Sequence, residues 1–106
     1  MTTVKLMVLY PIPIDVEQFE KDYREHLILF HHRMNIPFDF HPYTVTKIHS
    51  NPDSQAPYYQ IFTMPFPTVD ELQHAMNTPE MQEVARDAAR ISSGGAPVIL
   101  VGNDAD

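Results

Sequence analysis

The chain has no cysteine and no tryptophan, only three glycines, and only seven lysines and arginines in 106 residues. Without cysteine there are no disulfides, no thiolate metal sites and no cysteine nucleophile, which agrees with a reducing compartment; the cytoplasm is the expected location. The few basic residues are not clustered. Set against fourteen acidic ones, they give a net charge of −7 and leave no footprint for phosphate backbones or anionic lipid. Neither nucleic acid nor a membrane surface is an expected partner. Long apolar runs are missing too. Val4–Tyr10 is too short for a signal-peptide core followed by a cleavage site, nothing approaches a spanning helix, and the chain reads as mature as it stands. With 43% hydrophobic residues, the length suits one core, so residues 1–106 read as a single domain.

The strongest signal present is a helix beginning at Asp15. Val16, Phe19, Tyr23, Leu27, Phe30 and Met34 recur at spacings of three and four, which at about 100° per residue makes one apolar stripe. Asp15 can cap the first turn, Gln18 completes a capping-box pattern, and Ile36-Pro37 stops the helix near Met34-Asn35. Before it, Val4–Tyr10 reads as a strand closed by Pro11-Ile12-Pro13. After it, an extended run from Phe38 to His49 contains a strand at Tyr43–Ile48, and Pro42 suits an edge position. The turn-rich Ser50–Pro57 joins this to a strand at Tyr58–Phe66, making a hairpin with a loose tip. Thr68 caps a second helix carrying Val69, Leu72 and Met76. Thr78-Pro79 breaks or restarts it, and it continues through Met81, Val84, Ala85, Ala88, Ala89 and Ile91. Gly94-Gly95 turns the chain into a last strand, Ala96–Val101, apolar on both faces and expected to be buried; an acidic tail follows.

The order β-α-β-β-α-β is the ferredoxin-like pattern, an α+β fold in which two helices cover one face of a four-stranded antiparallel sheet. The first and last strands are apolar on both faces. The third places Tyr58, Phe62, Met64 and Phe66 on one side and Tyr59 and Ile61 on the other. So small a chain has no spare element to cover the second face, and a second copy packed sheet to sheet is the expected solution: a homodimer.

His26 lies on the flank of the first helix's stripe, one turn after Tyr23. An imidazole near neutral pH beside a phenol can serve as general base or acid on an enolisable or phenolic substrate, with Tyr23 donating to a developing oxyanion. The same pair could instead be structural, His26 bonding a backbone carbonyl at the edge of the core. No metal is expected despite six histidines. His31 and His32 are adjacent and diverge, His26 and His31 are five apart rather than four, and His41 and His49 lie far apart on one strand. A haem needs one axial histidine and an apolar pocket, which the sequence leaves open. Residues such as Tyr10, Phe19, Tyr58, Phe62, Met64 and Phe66 more often form core or dimer interface than a ligand site, but given a pocket between sheet and helices they are the ones expected to wall it. Arg24 and Glu25 read as a solvated face, and Gly94-Gly95 lacks the context of a phosphate loop.

Several of these stretches together resemble the EthD domain: Val4–Tyr10, then Phe19 and Tyr23 ahead of His26-Leu27-Ile28-Leu29, then Val45-Thr46-Lys47-Ile48, then the alanine-rich helix after Thr78-Pro79-Glu80. The resemblance covers nearly the whole chain. It implies the dimeric α/β-barrel superfamily, in which two ferredoxin-like protomers join their sheets. The family takes its name from a protein encoded beside a cytochrome monooxygenase system for ether degradation, and fungal relatives are decarboxylases or dehydratases acting on polyketides. The wider superfamily includes cofactor-independent monooxygenases, muconolactone isomerases and haem peroxidases, so fold does not choose a reaction. In the family the helix histidine usually follows the tyrosine by four residues and precedes x-Pro-Leu; here it follows by three, with Ile28 at the proline position, and its role is carried to His26. The resulting expectation is a proton-transfer enzyme without cofactor, of isomerase, cyclase, decarboxylase or dehydratase type. It would act on a small aromatic, quinonoid or lactone-like compound, with His26 as base and Tyr23 as its partner. The alternatives are a non-catalytic accessory or ligand-binding protein of an oxygenase or ether-degradation system, or a cofactor-independent monooxygenase.

Overall fold

A computed structural model describes residues 3–105. The elements follow in the order β1 (Val4–Pro11), α1 (Val16–Arg33), β2 (Thr44–Lys47), β3 (Tyr58–Phe66), α2 (Val69–Met76), α3 (Pro79–Ile91) and β4 (Val98–Asn103). All pairings are antiparallel and the strands lie in the order β2-β3-β1-β4, the ferredoxin-like topology. Thr78-Pro79 does restart the helix. The Thr78 side chain accepts from the Met81 amide and Pro79 takes the first turn, where its missing N–H costs nothing.

Residues directly opposite one another in an antiparallel pair share a face. Val4, Leu6, Val8 and Tyr10 stand opposite Phe66, Met64, Phe62 and Gln60, and this face packs under the helices. Two aromatic groups hold α1 down. Tyr10, Phe19, Tyr23 and Tyr59 meet with ring centroids 5.4–5.7 Å apart at one end. Phe30, Tyr43 and Phe62 meet at 5.1–5.7 Å at the other. Each such pair adds about 0.5–1.5 kcal/mol beyond the area it buries.

The helix ends are built from local chemistry. Asp15 accepts from the Gln18 amide at 3.1 Å, but the Gln18 side chain turns forward to Asp22 rather than back to the cap, so only half of the expected capping box forms. At the other end Asn35 takes the left-handed conformation, φ 56°. The Ile36 amide reaches the His31 carbonyl and the Asn35 amide the His32 carbonyl, which makes a Schellman stop.

Several expectations need correction. Residues 38–43 are not strand: the Phe40 amide turns back to the Pro37 carbonyl, and Phe38 and Phe40 are exposed. Val16, at the first turn of α1, also lies exposed rather than on the core stripe. The last strand starts at Val98, two residues later than expected, and it is an exposed edge rather than a buried strand. Between Tyr10 and Pro11 the register with β3 slips, so that Tyr58 faces Pro11 and Tyr59 is the extra residue. This bulge turns Tyr59 toward α1, where its ring meets Phe19 and its hydroxyl donates to Glu20, not to the opposite face with Ile61.

Candidate functional site

His26 projects from α1 toward α3 and is 95% buried. Its Nδ1 lies 2.8 Å from Asp87 Oδ2 on α3, and the other Asp87 oxygen accepts from Arg90 Nε at 2.9 Å. A carboxylate can only accept, so Nδ1 carries the hydrogen and Nε2 is left with a lone pair. Nε2 has no hydrogen-bond partner among the described residues. Burial lowers the pKa of His26, more than Asp87 raises it, so the ring is neutral at pH 7. Burial acts to raise the pKa of Asp87, but hydrogen bonds from His26 and Arg90 outweigh it and hold the carboxyl ionised.

The same imidazole lines a cavity of about 50 Å³ between the sheet and helices α1 and α3. Tyr10, Leu27, Phe30, Phe62 and Val84 form much of its wall, and Pro97 and Ile99 close the β4 side. Ile99 is itself 48% exposed, which puts the mouth at β4. A volume of this size admits the reacting end of a ligand, and the remainder must lie in the mouth. Among the described residues no three His, Asp or Glu side chains gather as a metal would require.

With this geometry in view, the EthD domain family matches residues 13–95. The chain belongs to the EthD family. Its fold is similar to that of an EthD-family protein from Bacillus halodurans, with a TM-score of 0.78 at 26% identity over 97% of this chain and 99% of that one. A dimeric ferredoxin-like protein of unknown function from Jannaschia sp. gives 0.66 at 12% identity over 95% and 97% of the two chains. A dimeric protein of unknown function and ferredoxin-like fold from Bacteroides fragilis gives 0.62 at 14% identity over 96% of each. At those identities the last two speak for the fold alone. No curated protein matches the sequence.

Of the candidate residues read from the EthD sequence, His26, Tyr10 and Phe62 meet at the cavity. Phe19 and Tyr23 pack behind Tyr10 in the core. The Tyr23 ring centroid is 5.7 Å from that of His26, yet its hydroxyl is buried with no hydrogen-bond partner and Tyr23 is not among the cavity-lining residues. Met64 packs into the Phe30–Phe62 cluster, Phe66 against Val4, Leu6 and Leu72, and Tyr58 lies beyond the bulge opposite Pro11.

Two groups escaped sequence reasoning. Asp87 is one of three carboxylates on α3, with Glu80 and Glu83, and only the packing of α1 on α3 singles it out. Gln60 gave no signal. It is fully buried, and its oxygen takes a hydrogen bond from Lys47 Nζ, which also bonds Glu20 at 2.5 Å. Tyr59 donates to Glu20 as well and its pKa is pushed up to about 12 by that bond. The network ties α1 to the β2–β3 hairpin. His31 has a similar structural task. Its Nδ1 faces the Ile36 and Pro37 carbonyls at 3.3 and 3.1 Å, and its Nε2 accepts from Tyr43 Oη at 2.6 Å, so both nitrogens are engaged away from the cavity.

Proposed function

We propose that this EthD chain is a proton-transfer enzyme that works with its own side chains on a small aromatic, quinonoid or lactone-like compound. One observation carries the proposal: a neutral histidine, fixed in one tautomer by a carboxylate, presents an unpartnered Nε2 at an apolar cavity. A base so placed removes a proton from carbon next to a carbonyl. The electron pair of the C–H bond becomes the C=C bond of an enolate, and the resulting imidazolium is stabilised by Asp87. Returning the proton to another carbon gives isomerisation. Expelling a leaving group from the enolate gives dehydration.

The assembly proposed for it is a homodimer. The sheet face turned from the helices carries Met7, Leu9, Ile61 and Leu100, and Leu100 is 46% exposed in the single chain. Covering such a patch with a second copy is the economical solution, and two proteins of the same fold are described as dimers. Among the described residues no helix is long and apolar enough to cross a membrane, and the absence of cysteine favours the cytoplasm as its location.

The test is hydrogen–deuterium exchange at the α-carbon of β-tetralone, an uncharged aromatic ketone, followed by proton NMR. Wild-type protein is expected to accelerate the exchange and His26→Ala to lose at least a hundredfold of that acceleration. Equal rates in the two would overturn the assignment of His26 as base.

A further inference from the structure

Fourteen of the described residues line the cavity, and only two of these, Tyr10 and His26, carry a nitrogen or oxygen in the side chain. Among the described residues no lysine or arginine lines it. A carboxylate or phosphate entering this space would be desolvated without a counter-charge, at a cost that apolar contact cannot offset. Tyr10 is 98% buried on β1, and its hydroxyl makes no hydrogen bond among the described residues. On a residue that lines the cavity, such a donor is open to a ligand oxygen.

Resting on the proton-transfer reading above, we infer that Tyr10 is the hydrogen-bond donor of the site and that its ligand is an uncharged carbonyl compound. The Tyr10 hydroxyl meets the carbonyl oxygen while His26 Nε2 faces the adjacent carbon. In the step so arranged, the C–H bond breaks toward Nε2, its electron pair forms the C=C bond, and the carbonyl π pair moves onto the oxygen that Tyr10 holds. The charge that develops is met by a donor in a water-poor space, where such a bond is strongest.

The choice of Tyr10 over Tyr23 follows from which of the two reaches the cavity. Tyr10 lines it together with His26. Tyr23 does not line it, and its hydroxyl is buried without a hydrogen-bond partner. Burial raises the pKa of both phenols. Both phenols stay protonated at neutral pH, but only Tyr10 is at the wall.

The β-tetralone exchange assay tests this with Tyr10→Phe and Tyr23→Phe, each checked for native near-ultraviolet circular dichroism. Tyr10→Phe keeps the ring that packs on Phe19 and removes only the donor, and a loss of about a hundredfold is expected. A rate within threefold of wild type, or a hundredfold loss in Tyr23→Phe instead, would overturn the donor assignment. Charge selection is read by titrating the protein with β-tetralone and with β-naphthoate, observing the methyl signals of Leu6, Val8 and Val84. Shifts with the ketone alone support the inference, and equal shifts with the anion overturn the uncharged ligand. Exchange lost in His26→Ala but intact in Tyr10→Phe sinks the donor and leaves the base standing. Exchange intact in His26→Ala, or absent in the wild type, sinks both.

Discussion

His26 and Asp87 sit on different helices, and everything chemical about either depends on the other. Asp87→Asn removes the charge that opposes burial at His26, so the imidazole pKa falls further and the acid limb of the β-tetralone rate profile moves to lower pH. The plateau rate drops as well, by roughly tenfold or more, because an amide no longer dictates which nitrogen holds the hydrogen. A limb that moves to higher pH would contradict the pairing. His26 also leaves a mark on stability. Its folded pKa lies below the ordinary value of 6.5, so as pH falls through 6.5 the unfolded chain takes up a proton that the folded chain resists, and stability is lost. Above 6.5 neither state is protonated there and this contribution is flat. Asp87, whose pKa is held below the ordinary 3.8, stabilises the fold above that value and ceases to do so as pH falls through its own lower folded value. Urea unfolding at pH 7 and pH 5.5 should therefore show a decline that His26→Ala reduces.

At the scale of the element, the turn from α3 into β4 is a close approach of backbone to backbone. A Cβ built on Gly94 would fall 1.8 Å from the Ile12 carbonyl oxygen, and the Ile14 amide bonds the Ser93 hydroxyl at 3.0 Å in the same contact. Backbone against backbone cannot yield as a side-chain end does. Gly94→Ala should cost about 3 kcal/mol in urea unfolding, and an unchanged midpoint would refute the close approach. Elements were also what the sequence displayed best. Period and caps placed α1, the break at Thr78-Pro79 and the ferredoxin-like order, because these depend on neighbours three or four positions away. What failed was non-local. The bulge that turns Tyr59 toward α1 arises from the register between β1 and β3, and no pattern within β3 announces it. The exposure of β4 follows from where the helices stop over the sheet. Asp87 was hidden for the same reason: sixty-one residues separate it from His26, and only the packing of α1 on α3 makes them a pair.

For the whole molecule, the two sides of the sheet carry different tasks on alternate residues of one strand. Leu6, Val8 and Tyr10 of β1 face the cavity, whereas Met7 and Leu9 face the proposed partner. Leu100→Asp places a charge in the middle of that second face, opposite Met7. Native mass spectrometry is expected to show a dimer for the wild type and at least a tenfold weaker one for the variant. A wild-type monomer would remove the proposed assembly.

The position of β4 has a consequence for the order in which the protein comes together. Lys5 pairs with Asp104 across 99 residues of sequence, and Pro97 and Ile99 supply the wall at the cavity mouth. Contacts of such separation close slowly, since the loop entropy is lost before they form. The His26–Asp87 pair needs only α1 packed on α3, whereas the wall at Pro97 and Ile99 needs the last strand docked beside the first. The dyad and the cavity around it are therefore separable, and a pairing between the two ends of the chain completes the site.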